Sequence, residues 1–290
     1  MVTIFTPSYN RAHTLPMLYK SLCKQTCKNF EWLIVDDGST DNTEEIISEY
    51  KSQTLDFPIL YHKKENGGKH TAINRGVELA KGELFFIVDS DDVLTSDAVA
   101  TILNDWKDIR DKNLCGISYL RGYSETEVIG DEQPVDHGID NFVNVRFNLG
   151  IGGDKAEVWV TEYLRLYPYP VFEGEKFFGE TWLWIKLARE RDMLWVNKII
   201  YITEYLEGGL SKSGRALRIK CPMGGLTNAL ELMSKEFTLK NRIKQALLYE
   251  AYSFFAKRSL SNIFDMPYKM LVAATLPIGY LLHLNWKKYM

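Results

Sequence analysis

The chain has 290 residues, of which 46% are hydrophobic and 25% are charged, and its net charge is −3. This length suffices for one large domain or two modest ones, and the composition is ordinary for a soluble globular protein. The small negative charge argues against nucleic acid as a partner. The four cysteines form no CxxC pair and no secretory signal is visible, so we expect a reducing, cytoplasmic setting.

Short apolar runs alternate with helical patterns over the first 120 residues. The predicted strands are Val2–Phe5, Trp32–Val35, Ile59–Tyr61, Leu84–Val88 and Ile117–Leu120. The predicted helices are Leu15–Cys23, Thr43–Tyr50, Thr71–Ala80 and Ala98–Ile109. This alternation of strand and helix is typical of βαβ units, and it predicts a mostly parallel sheet.

The alternation stops after about Ser124. Residues 124–155 are rich in Gly, Asp, Asn and Pro, which predicts loops with short strands. We expect regular structure at Lys155–Leu166, a helix at Thr181–Arg191 and a strand at Met193–Ile202. From Leu217 the pattern is helical to the end of the chain.

The charge is unevenly distributed along the chain. Residues 235–290 hold nine Lys/Arg and three Asp/Glu, a net charge of +6, whereas the first 234 residues hold 26 Lys/Arg and 35 Asp/Glu, a net charge of −9. A basic, aromatic tail on an acidic body indicates contact with anionic lipid.

An apolar segment at Met270–Leu284 lies within this tail. It has about 15 residues, fewer than the ~20 that span a bilayer, and Pro277 and Gly279 are expected to interrupt it. Trp286 and Tyr289 beside lysines favour an interfacial or re-entrant membrane contact. A buried core helix is the alternative.

Three aspartates crowd into Asp89-Ser90-Asp91-Asp92, directly after the apolar run Leu84–Val88. Carboxylates this close repel one another, and a divalent cation held by hard oxygen ligands would compensate for the repulsion. The end of a buried strand is also where open α/β sheets bind ligands. The alternative is a helix N-cap with a solvated turn.

Three other predicted strands also end in polar loops. Thr6–Arg11 follows the first strand, Asp36–Asp41 the second, and Asn66–His70 the third. Gly38 permits a tight turn, and Asp37 can accept hydrogen bonds from a ring N–H. Each loop taken alone is a weak signal, but four such loops at one edge of a sheet indicate a ligand site.

Taken together, the strings TPSYNR, DDGSTD, NGGKHTAINRG and DSDD resemble the nucleotide-sugar-binding half of family 2 glycosyltransferases. The resemblance is close over residues 1–120 and looser over 150–211. It implies the GT-A fold, an α/β fold with a Rossmann-like, mostly parallel sheet flanked by helices, here with a helical C-terminal extension. The implied units are a nucleotide-sugar-binding half (1–122), an acceptor-binding half (123–216) and a helical region (217–290) with a possible membrane-contacting segment (268–290).

The same resemblance implies roles for single residues. Thr6 and Tyr9 would line the base pocket, and Asp37 would accept from the base. Asp89 and Asp91 match the DxD motif that binds the metal–diphosphate. The implied donor-binding set is Thr6, Pro7, Tyr9, Arg11, Asp37, Asn66, Gly68, Lys69, Asn74, Asp89, Ser90, Asp91, Lys212 and Arg215. The implied metal ligands for Mn²⁺ or Mg²⁺ are Asp91 and Asp92, and the sequence does not rank these two.

Transfer with inversion needs one carboxylate on the acceptor side to act as a general base. The best candidate is Glu180, in the string FGETWLW. The family often has Glu-Asp or Gly-Asp here, whereas this chain has Gly-Glu. Glu173 and Glu175 are rivals, and a glutamate that only stabilises the helix dipole is the alternative. Trp159, Trp182 and Trp184 can stack on sugars, although such aromatics more often belong to the core.

A loop at Gly208–Arg215 combines glycines with cations. It is similar to the mobile loop that closes over the diphosphate in this fold, and Lys212, Arg215 or Arg218 would stabilise the leaving group. A solvated basic loop is the alternative.

The sequence therefore predicts an inverting, metal-dependent glycosyltransferase that uses a nucleotide sugar, with UDP as the expected nucleotide. The expected acceptor is a glycan or lipid-linked glycan at the inner face of a bacterial membrane, in surface polysaccharide synthesis. A sugar-1-phosphate nucleotidyltransferase is a second hypothesis, although the loop after the first strand lacks the glycines typical of that group. A third is a non-catalytic scaffold subunit of a glycan-assembly complex. The sequence leaves the oligomeric state open.

Overall fold

The computed structural model describes residues 1–203 and 210–289, without the side chains of residues 210–214. Its strands are β1 (Val2–Ser8), β2 (Phe30–Asp36), β3 (Ile59–Lys63), β4 (Leu84–Ile87), β5 (Val93–Leu94), β6 (Gly116–Gly122), β7 (Gly138–Asp140), β8 (Lys155–Val160) and β9 (Met193–Ile202). Its helices are α1 (Leu15–Cys23), α2 (Thr43–Ser52), α3 (Lys69–Leu79), α4 (Ala98–Ile109), α5 (Thr161–Arg165), α6 (Thr181–Glu190), α7 (Leu210–Lys220), α8 (Pro222–Glu231), α9 (Leu239–Phe255), α10 (Leu260–Phe264) and α11 (Lys269–Trp286). Short helical turns lie at Arg110–Lys112, Asn144–Asn148 and Lys287–Tyr289.

The strands described form one mixed sheet in the order β3-β2-β1-β4-β8-β6-β9-β5, with β7 paired to β9. The first four strands in this order are parallel, as the βαβ pattern predicts. β8 runs antiparallel to both of its neighbours, β4 and β6. Because β1 to β4 are parallel, their carboxyl ends and the four polar loops lie at one edge of the sheet.

Hydrophobic residues cover both faces of the sheet. One core includes Ile4 and Trp32, and the other includes Phe5 and Trp159. This division follows from the two-residue period of a strand, which sends neighbouring side chains of β1 to opposite faces. The helices from α7 onward have a separate apolar cluster of their own. The division of the chain near residues 122 and 216 stays a prediction.

The C-terminal apolar segment is an unbroken helix, α11, so the expectation that Pro277 and Gly279 interrupt it is wrong. Pro277 lies on the exposed side of α11, and Gly279 is buried against α9. A Cβ atom at Gly279 would lie 1.9 Å from Glu250 Oε2, so the glycine allows the two helices to approach closely. Among the helices described, none is long and apolar enough to cross a membrane.

Candidate active site

The acidic cluster forms the turn between β4 and β5. Asp89 and Asp91 are half-buried, whereas Ser90 and Asp92 are buried. The following helix, α4, begins only at Ala98. The alternative in which these carboxylates cap a helix is therefore wrong.

Tyr201 of β9 fixes this turn. Its hydroxyl donates to Asp92 Oδ2 at 2.7 Å and accepts from the backbone N–H of Asp89 at 2.9 Å. Burial, and after it the negative charge of Asp89, raises the pKa of Asp92 to about 7. A carboxyl group with such a pKa gains from neutralisation, either by a proton or by a cation.

The ammonium group of Lys69, the first residue of α3, joins the acidic cluster to the candidate base. Its Nζ lies 2.7 Å from Asp89 Oδ1 and 2.8 Å from Glu180 Oε1. Burial lowers the pKa of Lys69, but the negative charges of Asp89 and Glu180 outweigh burial and raise this pKa above its usual value. Burial raises the pKa of Asp89, but the positive charges of Lys69 and Arg121 outweigh it and lower this pKa. One cation thus holds two carboxylates from different elements together.

Glu180 lies immediately before α6, and its side chain is 33% exposed. The carboxylate makes no capping hydrogen bond to the helix and pairs with Lys69 instead. The hydroxyl of the buried Tyr169 donates to the Glu180 carbonyl oxygen at 3.2 Å, which ties down the backbone here. The side chain is therefore held at the site by a charge from another element.

The two rival carboxylates lie elsewhere. Glu175 accepts hydrogen bonds from the backbone N–H groups of Met223 and Gly224 at 2.7 and 2.8 Å, so it caps the start of α8. Glu173 is exposed. Of the three glutamates, Glu180 is the one that the structure joins to the acidic cluster.

Arg121 is a site residue that the sequence analysis did not identify. Its guanidinium lies 4.0 Å from the centre of the Tyr201 ring, and its Nη1 lies 3.9 Å from Asp92 Oδ2. Its Nε donates to the Lys155 carbonyl oxygen at 2.7 Å. The signal in the sequence was an arginine at the end of the apolar run Ile117–Leu120. This buried cation offsets part of the negative charge of the cluster.

Glu157 is a second residue that the sequence analysis missed. It lies on β8, and with Lys155 and Trp159 it faces the same side of the sheet, because alternate residues share a face. Burial raises the pKa of Glu157, although the positive charges of Arg146 and Arg121 oppose this effect. The negative charge of Glu180 also contributes to raising the pKa of Glu157, so the two carboxylates lie within range of each other's charge. Polar residues at alternate positions of Lys155–Val160 were the available signal.

Asp37 organises the loop that follows β3. Its Oδ1 accepts from the Lys64 ammonium at 2.6 Å and from the Gly67 N–H at 2.9 Å. Its Oδ2 accepts from the Gly68 N–H at 2.7 Å and from Asn66 Nδ2 at 3.2 Å. These four bonds use the usual acceptor capacity of a carboxylate. Its expected role toward a base stays a prediction, and here the residue holds the loop.

Asn66 and Gly68 belong to the same hydrogen-bonded loop. Gly68 has φ +96°, and a Cβ atom there would lie 2.0 Å from the Lys176 carbonyl oxygen. Glycine is therefore required where the loop before α3 meets the loop before Glu180. The contact explains how Lys69, the next residue, reaches Glu180.

Two residues of the expected donor set face away from an open site. Thr6 is fully buried, and its Oγ1 accepts from Trp32 Nε1 at 3.0 Å. Asn74 exchanges two hydrogen bonds with the backbone of Tyr169, at 2.9 and 2.8 Å. The structure thus gives both residues packing roles, because β1 sends Thr6 to the core face and α3 directs Asn74 to the loop at Tyr169.

The loop after β1 keeps residues available for a ligand. The Tyr9 side chain is 49% exposed although it is large and aromatic. The positive charge of Arg11 contributes to the lowered pKa of Asp89, so Arg11 lies near the acidic turn. Pro7 is half-buried at the end of β1. The expected roles of these residues in donor binding stay predictions.

The predicted basic loop is helical from Leu210 onward, because α7 spans Leu210–Lys220. Gly208 and Gly209 lie outside the described residues, and so does the side chain of Lys212. Arg215 Nη1 donates to the Tyr289 hydroxyl at 3.1 Å, and the guanidinium lies 5.0 Å from the Trp286 ring centre. In this structure Arg215 therefore contacts the end of α11.

The three tryptophans named from the sequence are core residues. Trp159 and Trp184 stack with their ring centres 4.5 Å apart, and Trp182 packs edge-on against Phe178. All three are buried. They support the wall behind Glu180.

The acidic turn offers oxygen ligands of the kind that Mg²⁺ and Mn²⁺ prefer. Within the described ranges no group of three His, Cys, Asp or Glu side chains is arranged to hold a metal ion. No hydrogen bond or ion pair joins the half-buried Asp91 to another described side chain. Mg²⁺ commonly takes one or two protein carboxylates and completes its shell with substrate phosphates and water. This donor set fits an ion bound together with a diphosphate.

Solved structures share this fold. TarS 1-349 of S. aureus in complex with UDP-GlcNAc superimposes with a TM-score of 0.64 at 17% identity, covering 98% of this chain and 81% of that one. The mannosyltransferase PcManGT from Pyrobaculum calidifontis, in complex with GDP-Man and Mn²⁺, has a TM-score of 0.58 at 19% identity, covering 99% and 82%. The expected GT-A glycosyltransferase fold is confirmed.

The sequence comparisons identify the family. The glycosyltransferase GlyG of Streptococcus pneumoniae serotype 4 is 26% identical over 246 residues, which are 82% of this chain and 80% of GlyG. The model of the family described as glycosyl transferase family 2 matches residues 3–155, just over half of the chain. The chain therefore belongs to glycosyl transferase family 2.

Proposed function

We propose that this glycosyltransferase moves a sugar from a nucleotide diphosphate, with UDP as the nucleotide, to a hydroxyl of a glycan or lipid-linked glycan, with inversion. The observation that carries the proposal is the placement of Lys69 between Asp89 and Glu180, at 2.7 and 2.8 Å. It brings a donor-side carboxylate and an acceptor-side carboxylate to one point. Transfer with inversion needs both groups near the reacting carbon, with the base on the face opposite to the leaving group.

On the donor side, residues 1–122 supply the side chains that bind the nucleotide sugar in this proposal. Tyr9 stacks on the base, and the acidic turn with Arg11 and Lys69 binds the sugar diphosphate. Arg121 offsets negative charge beneath it. The UDP-GlcNAc complex of TarS and the GDP-Man complex of PcManGT support a nucleotide sugar as the donor, because both proteins have this fold, and TarS is the precedent for UDP.

On the acceptor side, Glu180 removes the proton from the attacking hydroxyl. Donor binding draws Lys69 toward the diphosphate, and this movement frees the Glu180 carboxylate to accept a proton. Glu157, on the same side of the sheet, contributes to an acceptor-binding half formed by residues 123–216.

In this proposal Asp91 and Asp92 hold Mn²⁺ or Mg²⁺, and the Mn²⁺ complex of PcManGT supports such an ion. When bound, the ion neutralises charge on the leaving diphosphate. The protein supplies the carboxylates and keeps Asp92 buried against Tyr201. Burial raises the pKa of Asp92 because a buried negative charge is unfavourable, and a cation bound there would stabilise that charge.

We place the reaction in bacterial surface polysaccharide synthesis, at the inner face of the cell membrane. The basic C-terminal region supports this setting, with nine Lys/Arg against three Asp/Glu after residue 234. A lipid-linked acceptor would present its hydroxyl at such a surface. A non-catalytic scaffold subunit would use the same donor loops but would leave Glu180 without a role.

The test replaces the base. Glu180→Gln removes the proton acceptor and keeps the shape, so we expect turnover to fall by about 10²–10⁴-fold. Turnover is measured as UDP released from a panel of UDP-sugars with Mn²⁺ in the presence of glycan and lipid-linked glycan acceptors, because the transferred sugar needs a hydroxyl to receive it. Calorimetry with UDP checks that donor affinity changes little. Glu173→Gln, an exposed glutamate of the same segment, is the matched control and should keep full activity.

Unchanged turnover in Glu180→Gln would remove this residue as the base. A wild-type protein that binds UDP but releases none from any UDP-sugar would instead favour the scaffold.

A further inference from the structure

We propose that the outer face of α11 lies flat on an anionic lipid bilayer. We define this face as the exposed residues of the helix between its terminal lysines. Met270 is 86% exposed, Ile278 57% and Leu281 62%. The remaining members are Ala273, Ala274, Pro277, Tyr280, Leu284 and Asn285, of which only Asn285 has a fully polar side chain.

This face is unusual for a helix on a protein surface. Residues 270–286 hold no Asp, Glu, Lys or Arg. The opposite side of α11 is also largely apolar and packs on α9, with Val272 and Gly279 buried there. A surface helix normally has a charged outer face, and a helix that is apolar all round is typical of a buried or membrane environment. We therefore expect the outer face of α11 to contact an apolar environment.

Charge at the two ends of the helix favours lipid as that environment. Lys269 is exposed at the start, and Lys287 and Lys288 are exposed at the end. These ammonium groups suit the phosphates of a headgroup layer on either side of the apolar stripe. A second copy of the chain, packed through the same face in either direction, would bring lysines close to lysines. The ends of the helix thus oppose self-association and match an anionic surface.

The length of α11 indicates how this helix would lie in the bilayer. Its 18 residues extend about 27 Å, and none of the described helices is long and apolar enough to cross a membrane. The inner side of α11 is held by α9, where Thr275 Oγ1 donates to Glu250 Oε1 at 2.5 Å. The helix therefore rests in the interface with only its outer face in the acyl layer.

The same helices connect this surface to the candidate active site. α11 packs on α9, and α9 packs on α8. The first N–H groups of α8 hold Glu175, five residues before Glu180. Bilayer contact would bring the segment that carries the base toward lipid-linked hydroxyls. This last step rests on the proposed function, whereas the membrane contact itself does not.

The experiment is vesicle flotation of the full chain. One set of vesicles is phosphatidylcholine, and the other contains about one third phosphatidylglycerol. We expect flotation with the anionic set only, and partial release at about 0.5 M NaCl because salt screens the lysines. The double variant Ile278→Gln/Leu281→Gln should lower partitioning about tenfold or more. Leu166→Gln, an exposed leucine outside the C-terminal region (62% exposed), is the matched control.

Several results would overturn the inference. These are equal flotation of the double variant and the wild type, or no flotation of the wild type with anionic vesicles. A concentration-dependent dimer that the double variant abolishes, seen by sedimentation, would assign the face to a second copy. Calorimetry with UDP on each variant keeps the two proposals apart, because the outer-face variant should retain its donor affinity. A chain that floats but does not bind UDP would refute the proposed function and leave this inference standing.

Discussion

At the scale of single residues, Lys69 controls the charge balance of the site. Its single ammonium charge pairs with both Asp89 and Glu180. In Lys69→Met the cation between the two carboxylates is lost, although Arg121 and Arg11 still act on Asp89, and the stronger repulsion raises a carboxyl pKa. A base must be deprotonated to act, so we expect the acidic limb of the pH–rate profile to move to higher pH. UDP affinity should fall roughly tenfold, because a charge-assisted contact is lost.

The pH–rate profile of UDP release and calorimetry with UDP measure these two effects. Lys81→Met removes an exposed lysine and is the control. An acidic limb that stays in place would show that Lys69 does not set the protonation of the base.

Asp37 allows a test that separates a structural role from a binding role. The Gly67 and Gly68 N–H groups donate to the two different oxygens of Asp37, and Asp37→Asn replaces one of these oxygens by an amide NH₂. One buried donor is left without an acceptor, so we expect the unliganded protein to lose about 1–3 kcal/mol of unfolding free energy. Urea unfolding without nucleotide measures this loss. If stability is unchanged and only UDP affinity falls, Asp37 acts on the base, as the sequence resemblance implies.

The positions of the candidate site residues were predictable from the sequence only where the end of a strand or the start of a helix placed them. Asp89, Glu180 and Lys69 follow strand ends or precede helices, and the structure brings them together. Thr6 was assigned to the pocket because its motif matched, but the two-residue period of β1 sends it to the core. Arg121 lies on a strand whose neighbours are distant in sequence, so its approach to Asp92 could not be derived from the local pattern.

At the scale of elements, the strands and helices of the first 120 residues could be predicted from the sequence, because each has the hydrophobic pattern typical of its type. The segment 124–155 has no such period, and its short strand β7 and helical turn at 144–148 depend on contacts with other parts of the chain. One such contact is the pairing of β7 with the distant strand β9. For α11 the period predicted a helix, but its continuity through Pro277 depends on packing against α9.

The α9–α11 contact contains a buried carboxyl group that makes stability depend on pH. Glu250 is fully buried, and burial raises its pKa to about 7. The folded protein therefore holds a proton that the unfolded chain has released, and stability falls as pH rises from about 4.5 to about 7. Glu250→Gln stays neutral and keeps an oxygen for Thr275. We expect this variant to be about 1–3 kcal/mol more stable than the wild type at pH 8, and similar to it at pH 4.5.

Urea unfolding at the two pH values measures this difference. Asp265→Asn, an exposed acid of the same region, is the control and should leave the pH dependence unchanged. An equal loss of stability with pH in Glu250→Gln and the wild type would exclude Glu250 as its source.

At the scale of the whole molecule, the candidate site joins loops and helices from separate parts of the chain. Loops after β1, β2, β3 and β4 meet at one edge of the sheet. Glu180, just before α6, and Arg121, on β6, contact residues of these loops. A ligand that contacts these parts binds the folded state alone. It therefore raises the free energy of unfolding, by about 2.7 kcal/mol at a concentration about 100 times its Kd.

We expect UDP with Mn²⁺ to raise the melting temperature more than the sum of the shifts that UDP and Mn²⁺ produce separately. The reason is that the donor set fits an ion bound with the diphosphate, so each ligand completes the site of the other. Asp91→Asn should abolish this excess, because it removes a half-buried carboxylate that has no hydrogen bond or ion pair with another described side chain. Glu180→Gln should retain it, since the base lies on the acceptor side. Additive shifts in the wild type, or an excess that survives in Asp91→Asn, would mean that the acidic turn does not couple the metal to the nucleotide.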